Sequence, residues 1–244
     1  MGEPLAFPPR EYQALVCGPD GTDLFEQAGQ WLVDLLSYEG MLAPGTDFLD
    51  IGCGCGRVAR YLLDSPIKTY RGFDRHHGMV NWCSEEISKS DPRFSFDFFP
   101  LKSSCYEHWD SERGALAVED FHFPYRDASF NSCLLASVFT HMPPNEVRHY
   151  MAELTRVVRK GGKIVLSVFF SPSGKLEFHD NGLNVFCDAR EFYDDLGRRP
   201  WDVRRPGHSF EPGHRFVPGE TAAHTASPEL IKPYEHVWHV LTRV

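Results

Sequence analysis

Residues 48–62 read FLDIGCGCGRVARYL, and this stretch decides the fold. The run over residues 47–51 is short and apolar, which is typical of a strand buried on both faces of a parallel sheet. Three glycines follow at alternate positions, Gly52, Gly54 and Gly56, and the apolar residues after them resume the three-to-four spacing of a helix. The sequence therefore predicts a strand, a glycine turn and a helix.

The same alternation of strand and helix continues along the chain. A helix is predicted over residues 24–36, and Gly40 ends it. Alternating strands and helices joined by short turns imply right-handed crossovers, so we predict an α/β, doubly wound, mostly parallel sheet with helices on both faces. The other predicted elements are strands at 69–74, 94–99, 132–138 and 163–170, helices at 79–87, 144–158 (closed by Gly161 and Gly162) and 189–196, and two last strands at 201–205 and 236–242.

Composition indicates an ordinary globular protein and excludes several classes of partner. The 244 residues are 42% hydrophobic and 24% charged, and the net charge is −9. There is no dense stripe of lysine and arginine, which argues against a nucleic-acid partner. The most apolar run, residues 164–170, is far shorter than the roughly 20 residues that a membrane helix needs. With no leader pattern at the N-terminus, we expect a cytoplasmic protein without membrane insertion.

The chain is expected to be a single domain over residues 1–244. Residues 22–170 carry the regular alternation and would form the core of that domain. Residues 171–244 are richer in Pro, Gly, His and Arg, and would complete the sheet and cover a ligand site. The seven cysteines, an odd number, indicate reduced thiols. Cys53 and Cys55 lack a second pair at the spacing of a structural zinc site, so no metal site is predicted.

The glycine turn and two acids beside it indicate what binds there. In an open parallel sheet the ligand lies at the carboxyl ends of the strands, and the first turn lines that site. The glycines here are spaced G-x-G-x-G, whereas the dinucleotide fingerprint is G-x-G-x-x-G. Asp50, just before the turn, disfavours a pyrophosphate and suits a ligand with an ammonium group. Asp74 ends the second strand, where a carboxylate accepts both hydrogen bonds from a ribose diol.

These residues resemble the ordered motifs of the class I S-adenosylmethionine-dependent methyltransferases. The segments that carry the resemblance are FLDIGCGCGR, RGFD, FPYRDASFNSCLLASVFTHM and RVVRKGGKIVLSVF, all within residues 22–170. The resemblance implies a Rossmann-like, seven-stranded sheet with one antiparallel strand near its end, which the two last predicted strands would complete. It implies S-adenosylmethionine as the cofactor. Similar bacterial members indicate methyl transfer to a small-molecule, glycan or lipid-type acceptor.

The resemblance also implies the residues of the cofactor site. Asp50 and Gly52 would face the methionine part of the cofactor, Gly54 and Gly56 would pass close to it, and Asp74 would hold the ribose hydroxyls. Met79 has two interpretations, a cofactor contact or core packing. The implied cofactor-binding set is completed by four further residues: Cys53, Arg75, Met79 and Ser137.

The acceptor is expected beyond the fourth strand, where His141 lies. His141 is the candidate general base, and its alternative role is to hold the loop through hydrogen bonds to the backbone. Phe139 and Tyr106 are candidates to face the sulfonium through their rings, or to pack. Four arginines close to Trp201 form either a solvated face or a site for an anionic acceptor: Arg198, Arg199, Arg204 and Arg205.

Two other functions stay open at this point. One is a non-catalytic S-adenosylmethionine-binding protein with a rebuilt acceptor pocket, which Pro100 and the irregular C-terminal part favour. The other is an NAD-binding oxidoreductase, which the early third glycine disfavours. The acceptor atom and the oligomeric state are not predicted.

Overall fold

A computed structural model describes residues 5–18, 23–102, 115–179, 184–205 and 236–244. Tyr106 lies outside these residues. Of the described part, the residues up to Phe99 form one compact unit, and those from Pro100 on form a second. In the described ranges, no helix has both the length and the apolar composition needed to cross a membrane.

The first unit contains three parallel strands, and the second strand lies between the other two. The strands of this unit are β1 (Asp47–Ile51), β2 (Thr69–Asp74) and β3 (Phe94–Phe98). Its helices are α1 (Arg10–Cys17), α2 (Phe25–Tyr38) and α3 (His77–Cys83), the last continued by a π-helical turn at Ser84–Ser88. The bounds of β1 and β2 agree with the predicted ones. Helix α1 was not predicted.

The helix predicted directly after the glycine turn is the main error in this unit. Only one 3-10 turn forms there, at Ala59–Tyr61. Gly56 has φ of +74°, so it cannot begin a right-handed helix, and Pro66 stops any helix a few residues later. This segment instead packs closely on α2, because a Cβ at Gly29 would lie 2.5 Å from the Arg57 carbonyl oxygen.

The second unit contains the remaining strands around one long buried strand. Strand β7 (Val158–Phe170) pairs in parallel with β6 (Phe130–Leu135) and antiparallel with β11 (Val237–Arg243), which pairs antiparallel with β10 (Trp201–Arg204). The other elements of the unit are the pair β4 (Leu101–Lys102) and β5 (Leu116–Ala117), the pair β8 (Glu177–His179) and β9 (Asn184–Cys187), helices α4 (Pro144–Val157) and α5 (Ala189–Gly197), and 3-10 turns at Val118–Asp120 and Phe139–His141.

The last two predicted strands are present, as β10 and β11, and β11 pairs with β7. The α/β class with mostly parallel strands is confirmed. Strand β7 contains the longest buried run among the described strands of this unit. All residues from Ile164 to Phe170 are buried, as expected for a parallel strand covered on both faces.

The glycine pair before this strand was assigned to the wrong element. Helix α4 ends at Val157, and Gly161 and Gly162 lie inside β7, not at the end of a helix. The pairing register of β6 with β7 shifts near this point. A Cβ at Gly162 would lie 2.9 Å from the Asn131 carbonyl oxygen, so a glycine is needed because the backbones approach each other closely.

Candidate cofactor site

The glycine turn is held against the end of β2 by its own backbone. The N–H groups of Gly52 and Cys53 both donate to the Phe73 carbonyl oxygen, at 2.9 and 3.1 Å. Gly52, Gly54 and Gly56 have φ of +70°, +53° and +74°. Side chains rarely adopt this left-handed conformation, so the alternate glycines are a requirement of the backbone path.

Asp74 connects the end of β2 to the turn. Its Oδ2 accepts a hydrogen bond from the Gly54 N–H and its Oδ1 accepts one from the His76 N–H, both at 2.8 Å. An ionised carboxylate has about four acceptor positions, so two remain for a ligand. Burial raises the pKa of Asp74, although both backbone bonds oppose this effect.

Asp50 is the most unusual group of the site. It lies at the end of β1, opposite Gly72 on β2, and only 3% of it is exposed. The single hydrogen-bond partner of its carboxylate among the described residues is the Tyr70 hydroxyl, which donates to Oδ2. A buried carboxylate is normally paired with a cation or with several donors. Asp50 therefore has unused capacity to accept hydrogen bonds from a ligand.

Burial dominates the electrostatics of Asp50. Loss of hydration raises its pKa from 3.8 to about 7, against the effects of the Tyr70 hydrogen bond and of the Arg57 charge. The charge of Asp74 raises the pKa of Asp50 further, which means that the two carboxylates lie close enough to interact electrostatically. A cation bound between them would reverse this effect, because an opposite charge favours the ionised form.

Tyr70 is fixed by an aromatic stack that crosses all three strands of the first unit. Its ring stacks on Phe48 of β1 at 5.6 Å and on Phe94 of β3 at 4.9 Å between ring centroids. Each such pair adds about 0.5–1.5 kcal/mol beyond area burial. The rigid ring holds the hydroxyl at Asp50, and this acid raises the pKa of Tyr70 together with burial, the larger cause.

Helix α1 packs over the glycine turn. Val16 Cγ2 lies 2.9 Å from the position that a Cβ at Gly54 would take, and Tyr12 Oη lies close to such a position at Gly78 in α3. The Tyr12 and His76 rings meet edge to face at 5.5 Å. The Arg57 guanidinium donates to Cys17 Sγ at 3.4 Å. The turn is thus covered by a helix of the same unit.

Three further predicted cofactor residues lie close to the turn. The Cys53 side chain faces β2, with Sγ 3.0 Å from a Cβ position at Gly72, so its N–H rather than its thiol belongs to the turn. Met79 is 4% exposed and packs in a cluster with Phe25, Cys55 and residues of α1. This placement agrees with the core-packing interpretation of Met79. Arg75 is half-buried and follows Asp74 directly.

Ser137 and His141 belong to the second unit, at the carboxyl end of β6. Ser137 has φ of +61°, and its N–H donates to Ser167 Oγ on β7 at 2.9 Å. A left-handed conformation at a non-glycine residue stores backbone strain, and such strain is often found at functional sites. His141 ends the 3-10 turn after β6 and is half-buried, and its N–H donates to the Val138 carbonyl oxygen.

Sequence reasoning missed two parts of this site. Tyr70 precedes Asp74 by four positions on the same strand, so the period of two already placed it on the face of Gly72 and Asp74. Helix α1 begins after Pro9, and a proline is common at a helix start. The contact of α1 with the turn joins residues about 40 positions apart and has no local signal.

Comparison with known proteins supports the family that the motifs indicate. A methyltransferase domain family matches residues 49–166. The methyltransferase GfsG of Streptomyces halstedii is 24% identical over 151 residues, which are 61% of this chain. The chain spans about half the length of this curated relative, at 47% of it.

Two solved structures of similar fold are methyltransferases as well. The 1,6-didemethyltoxoflavin-N1-methyltransferase of Burkholderia thailandensis, solved with S-adenosylhomocysteine, is 18% identical with a TM-score of 0.56, covering 100% of this chain and 93% of its own. The magnesium protoporphyrin IX methyltransferase of Synechocystis PCC 6803, also solved with S-adenosylhomocysteine, is 14% identical with a TM-score of 0.57, covering 93% and 86%. The shared fold is Rossmann-like, as predicted. Residues 49–166 therefore match a methyltransferase domain family, and the two solved structures share the Rossmann-like fold of the class I S-adenosylmethionine-dependent methyltransferases.

Proposed function

We propose that the whole protein is an S-adenosylmethionine-dependent methyltransferase that acts on a small organic acceptor. The observation that carries this proposal is Asp50, a buried acid with one described hydrogen-bond partner beside a left-handed glycine turn. A phosphate-binding turn would exclude such an acid, whereas an amino-acid ammonium group requires one.

The residues present fit S-adenosylmethionine part by part. Asp50 would accept hydrogen bonds from the ammonium group with the acceptor positions that Tyr70 leaves unused. Asp74 would accept the ribose hydroxyls with its two remaining positions while its bonds to Gly54 and His76 fix its orientation. The left-handed φ angles of the three glycines would set the backbone path along which the cofactor lies.

The bound cofactor would supply a methyl group on a sulfonium, which is already a good leaving group. The protein then has to hold the cofactor and the acceptor in the correct orientation. Orientation of two reactants can lower a barrier by roughly 7–11 kcal/mol, so no nucleophilic residue is required. Helix α1, which covers the turn, would exclude water from the cofactor once it is bound.

On the acceptor side we propose His141 as the group that removes a proton when the acceptor is a hydroxyl. An imidazole is neutral and basic near pH 7, which suits this role. Ser137 would line the cofactor edge, and its strained backbone and the Ser167 hydrogen bond fix its position. These two roles follow from placement at the carboxyl end of β6.

The small size of the acceptor is inferred from the relatives. The names of two solved relatives specify 1,6-didemethyltoxoflavin and magnesium protoporphyrin IX, which are both small organic molecules.

The proposal is tested by titrating the purified full chain with S-adenosylmethionine in a calorimeter. We expect one cofactor per chain, followed by S-adenosylhomocysteine formation when pools of small hydroxyl and amine compounds are added. No binding at millimolar cofactor would contradict the proposal. Binding without transfer to any pool would favour the non-catalytic alternative.

A further inference from the structure

Arg205 in the second unit is held in place by a neutral partner. It directly follows β10, and its Nε and Nη2 both donate to the Tyr193 hydroxyl oxygen, the first at 2.8 Å. The guanidinium carbon also lies over the Tyr193 ring at 5.3 Å and over the Phe170 ring at 6.0 Å from the centroids. Two hydrogen bonds to one atom and two ring contacts fix the orientation of the guanidinium plane.

Tyr193 is fixed in turn by a buried histidine. The Tyr193 hydroxyl lies 2.8 Å from His239 Nε2, and His239 Nδ1 lies 3.2 Å from the Val237 carbonyl oxygen. Because the tyrosine oxygen accepts from Arg205, its proton is directed to His239, which accepts at Nε2 and donates from Nδ1. His239 is fully buried, and Phe170 and Phe192 surround it with rings. The chain of bonds thus runs from Arg205 into the core.

The other edge of the guanidinium is unused. Nη1 and the second N–H of Nη2 make no hydrogen bond to any residue in the described ranges, where Arg205 also has no carboxylate within ion-pair distance. Arg205 is half-buried. A partly desolvated cation with only neutral partners favours binding of an anion. The unused edge has two parallel donors, which match the two oxygens of a carboxylate.

The position of Arg205 in the sheet places this edge where ligands bind. Strands β7 and β10 both run antiparallel to β11, so they run in the same direction. Arg205 follows the end of β10, and Phe170 is the last residue of β7. His141 follows β6, which is parallel to β7. All three residues lie at the carboxyl edge of this part of the sheet, where open α/β folds bind their ligands.

We propose that Arg205 binds a carboxylate group of the methyl acceptor, with Tyr193 and His239 as positioning residues. The substrate class is therefore a small organic acid. This inference rests on the proposed function, because only a methyltransferase has a methyl acceptor. Of the two interpretations of the arginines near Trp201, a solvated face or an anion site, it develops the second, and it selects one of the four.

The test uses sodium benzoate as the probe and benzamide as its neutral isostere, both titrated into the full chain at constant ionic strength and followed by ligand-observed NMR. A fragment of this size is expected to bind with a Kd on the order of 1 mM. We expect benzamide to bind at least about 10-fold more weakly than benzoate. Arg205→Gln should weaken benzoate about 10- to 100-fold, and Arg205→Lys should recover only part of it, because lysine lacks the two-donor edge.

Arg198→Gln is the matched control, because it removes the same charge from an exposed residue at the end of α5. Tyr193→Phe should weaken benzoate about 3- to 10-fold without changing the affinity for benzamide, since it frees the guanidinium to rotate. Equal binding of benzoate to the wild type and to Arg205→Gln would overturn the inference. Binding of inorganic phosphate in place of benzoate would overturn it as well.

The same preparations are titrated with S-adenosylmethionine to separate this inference from the proposed function. Normal cofactor binding together with absent benzoate binding refutes the acid-acceptor inference alone. Absent cofactor binding refutes the proposed function, whatever the result with benzoate. Melting temperatures of the variants within about 2 °C of the wild type show that the fold is kept.

Discussion

Replacement of Asp50 by asparagine should change how the stability of the protein depends on pH. The side chain is almost fully buried, and its pKa is raised from 3.8 to about 7 in the folded state. In the unfolded chain the acid ionises near its ordinary pKa. Between these two values the folded state holds one more proton than the unfolded state, so the wild type loses stability as the pH rises through this window.

The size of the effect follows from the same pair of values. At about 1.4 kcal/mol per pH unit, the difference between 3.8 and about 7 corresponds to about 4 kcal/mol as an upper bound. The loss is complete above pH 7 and absent below pH 4. The asparagine side chain of the variant would not titrate, although its buried NH₂ group without a partner costs about 1–3 kcal/mol at every pH. We expect the stability of Asp50→Asn relative to the wild type to rise by about 1–4 kcal/mol from pH 4.5 to pH 8.

Urea-induced unfolding followed by circular dichroism at several pH values measures this difference. Asp64→Asn is the control, because Asp64 is exposed in the same unit and its replacement removes the same charge. A stability difference between Asp50→Asn and wild type that stays constant with pH would refute the reasoning. It would show that Asp50 is ionised throughout and has a partner that its contacts do not reveal.

Three further predictions concern the same site. Gly54→Ala would place a Cβ 2.9 Å from Val16 at a φ of +53°, so it should lower the free energy of unfolding by about 1–3 kcal/mol and weaken cofactor binding. Gly45→Ala is the control for the backbone angle alone, because Gly45 has φ of +84° and no atom lies near the added Cβ. Equal loss in both variants would contradict the contact with α1. Tyr70→Phe keeps the aromatic stack but removes the described hydrogen-bond partner of the Asp50 carboxylate. It should lower the free energy of unfolding in urea by about 1–3 kcal/mol and lower the cofactor affinity measured by calorimetry at pH 7. Unchanged values would contradict the role of the hydroxyl. When the pH is raised towards 7, the cofactor affinity should increase up to about tenfold per pH unit, because the bound ammonium requires ionised Asp50. Calorimetry at pH 6 and pH 7 would show no such increase if this acid does not face the ligand.

Local sequence patterns were sufficient for the parts of this fold that local residues determine. The bounds of β1 and β2 could be predicted because short apolar runs end in a glycine or an acid. The positions of Asp50, Asp74 and the turn glycines followed from the order of those elements. The prediction that the two acids share a region is consistent with the effect of Asp74 on the pKa of Asp50.

The errors arise where distant parts of the chain approach each other. The missing helix after the turn reflects the close packing of Arg57 on Gly29, and the glycine pair in β7 reflects the approach of Asn131 to Gly162. Gly161 and Gly162 have the same local appearance as a helix end, and Gly29 has that of an ordinary helical position. The pairing of Asp50 with Tyr70 depends on the register of two strands, and the cover over Gly54 depends on where α1 packs. No run of neighbouring residues contains that information.

The central claim is that Asp50 binds the ammonium group of S-adenosylmethionine. It is tested most directly by comparing two ligands on two proteins at pH 8: S-adenosylmethionine and 5′-methylthioadenosine, which lacks the amino-acid part, on the wild type and on Asp50→Asn. We expect the variant to bind S-adenosylmethionine about 10- to 100-fold more weakly and to bind 5′-methylthioadenosine with unchanged affinity, because only the first ligand has the ammonium group. Equal losses for both ligands, or no loss for either, would contradict the claim.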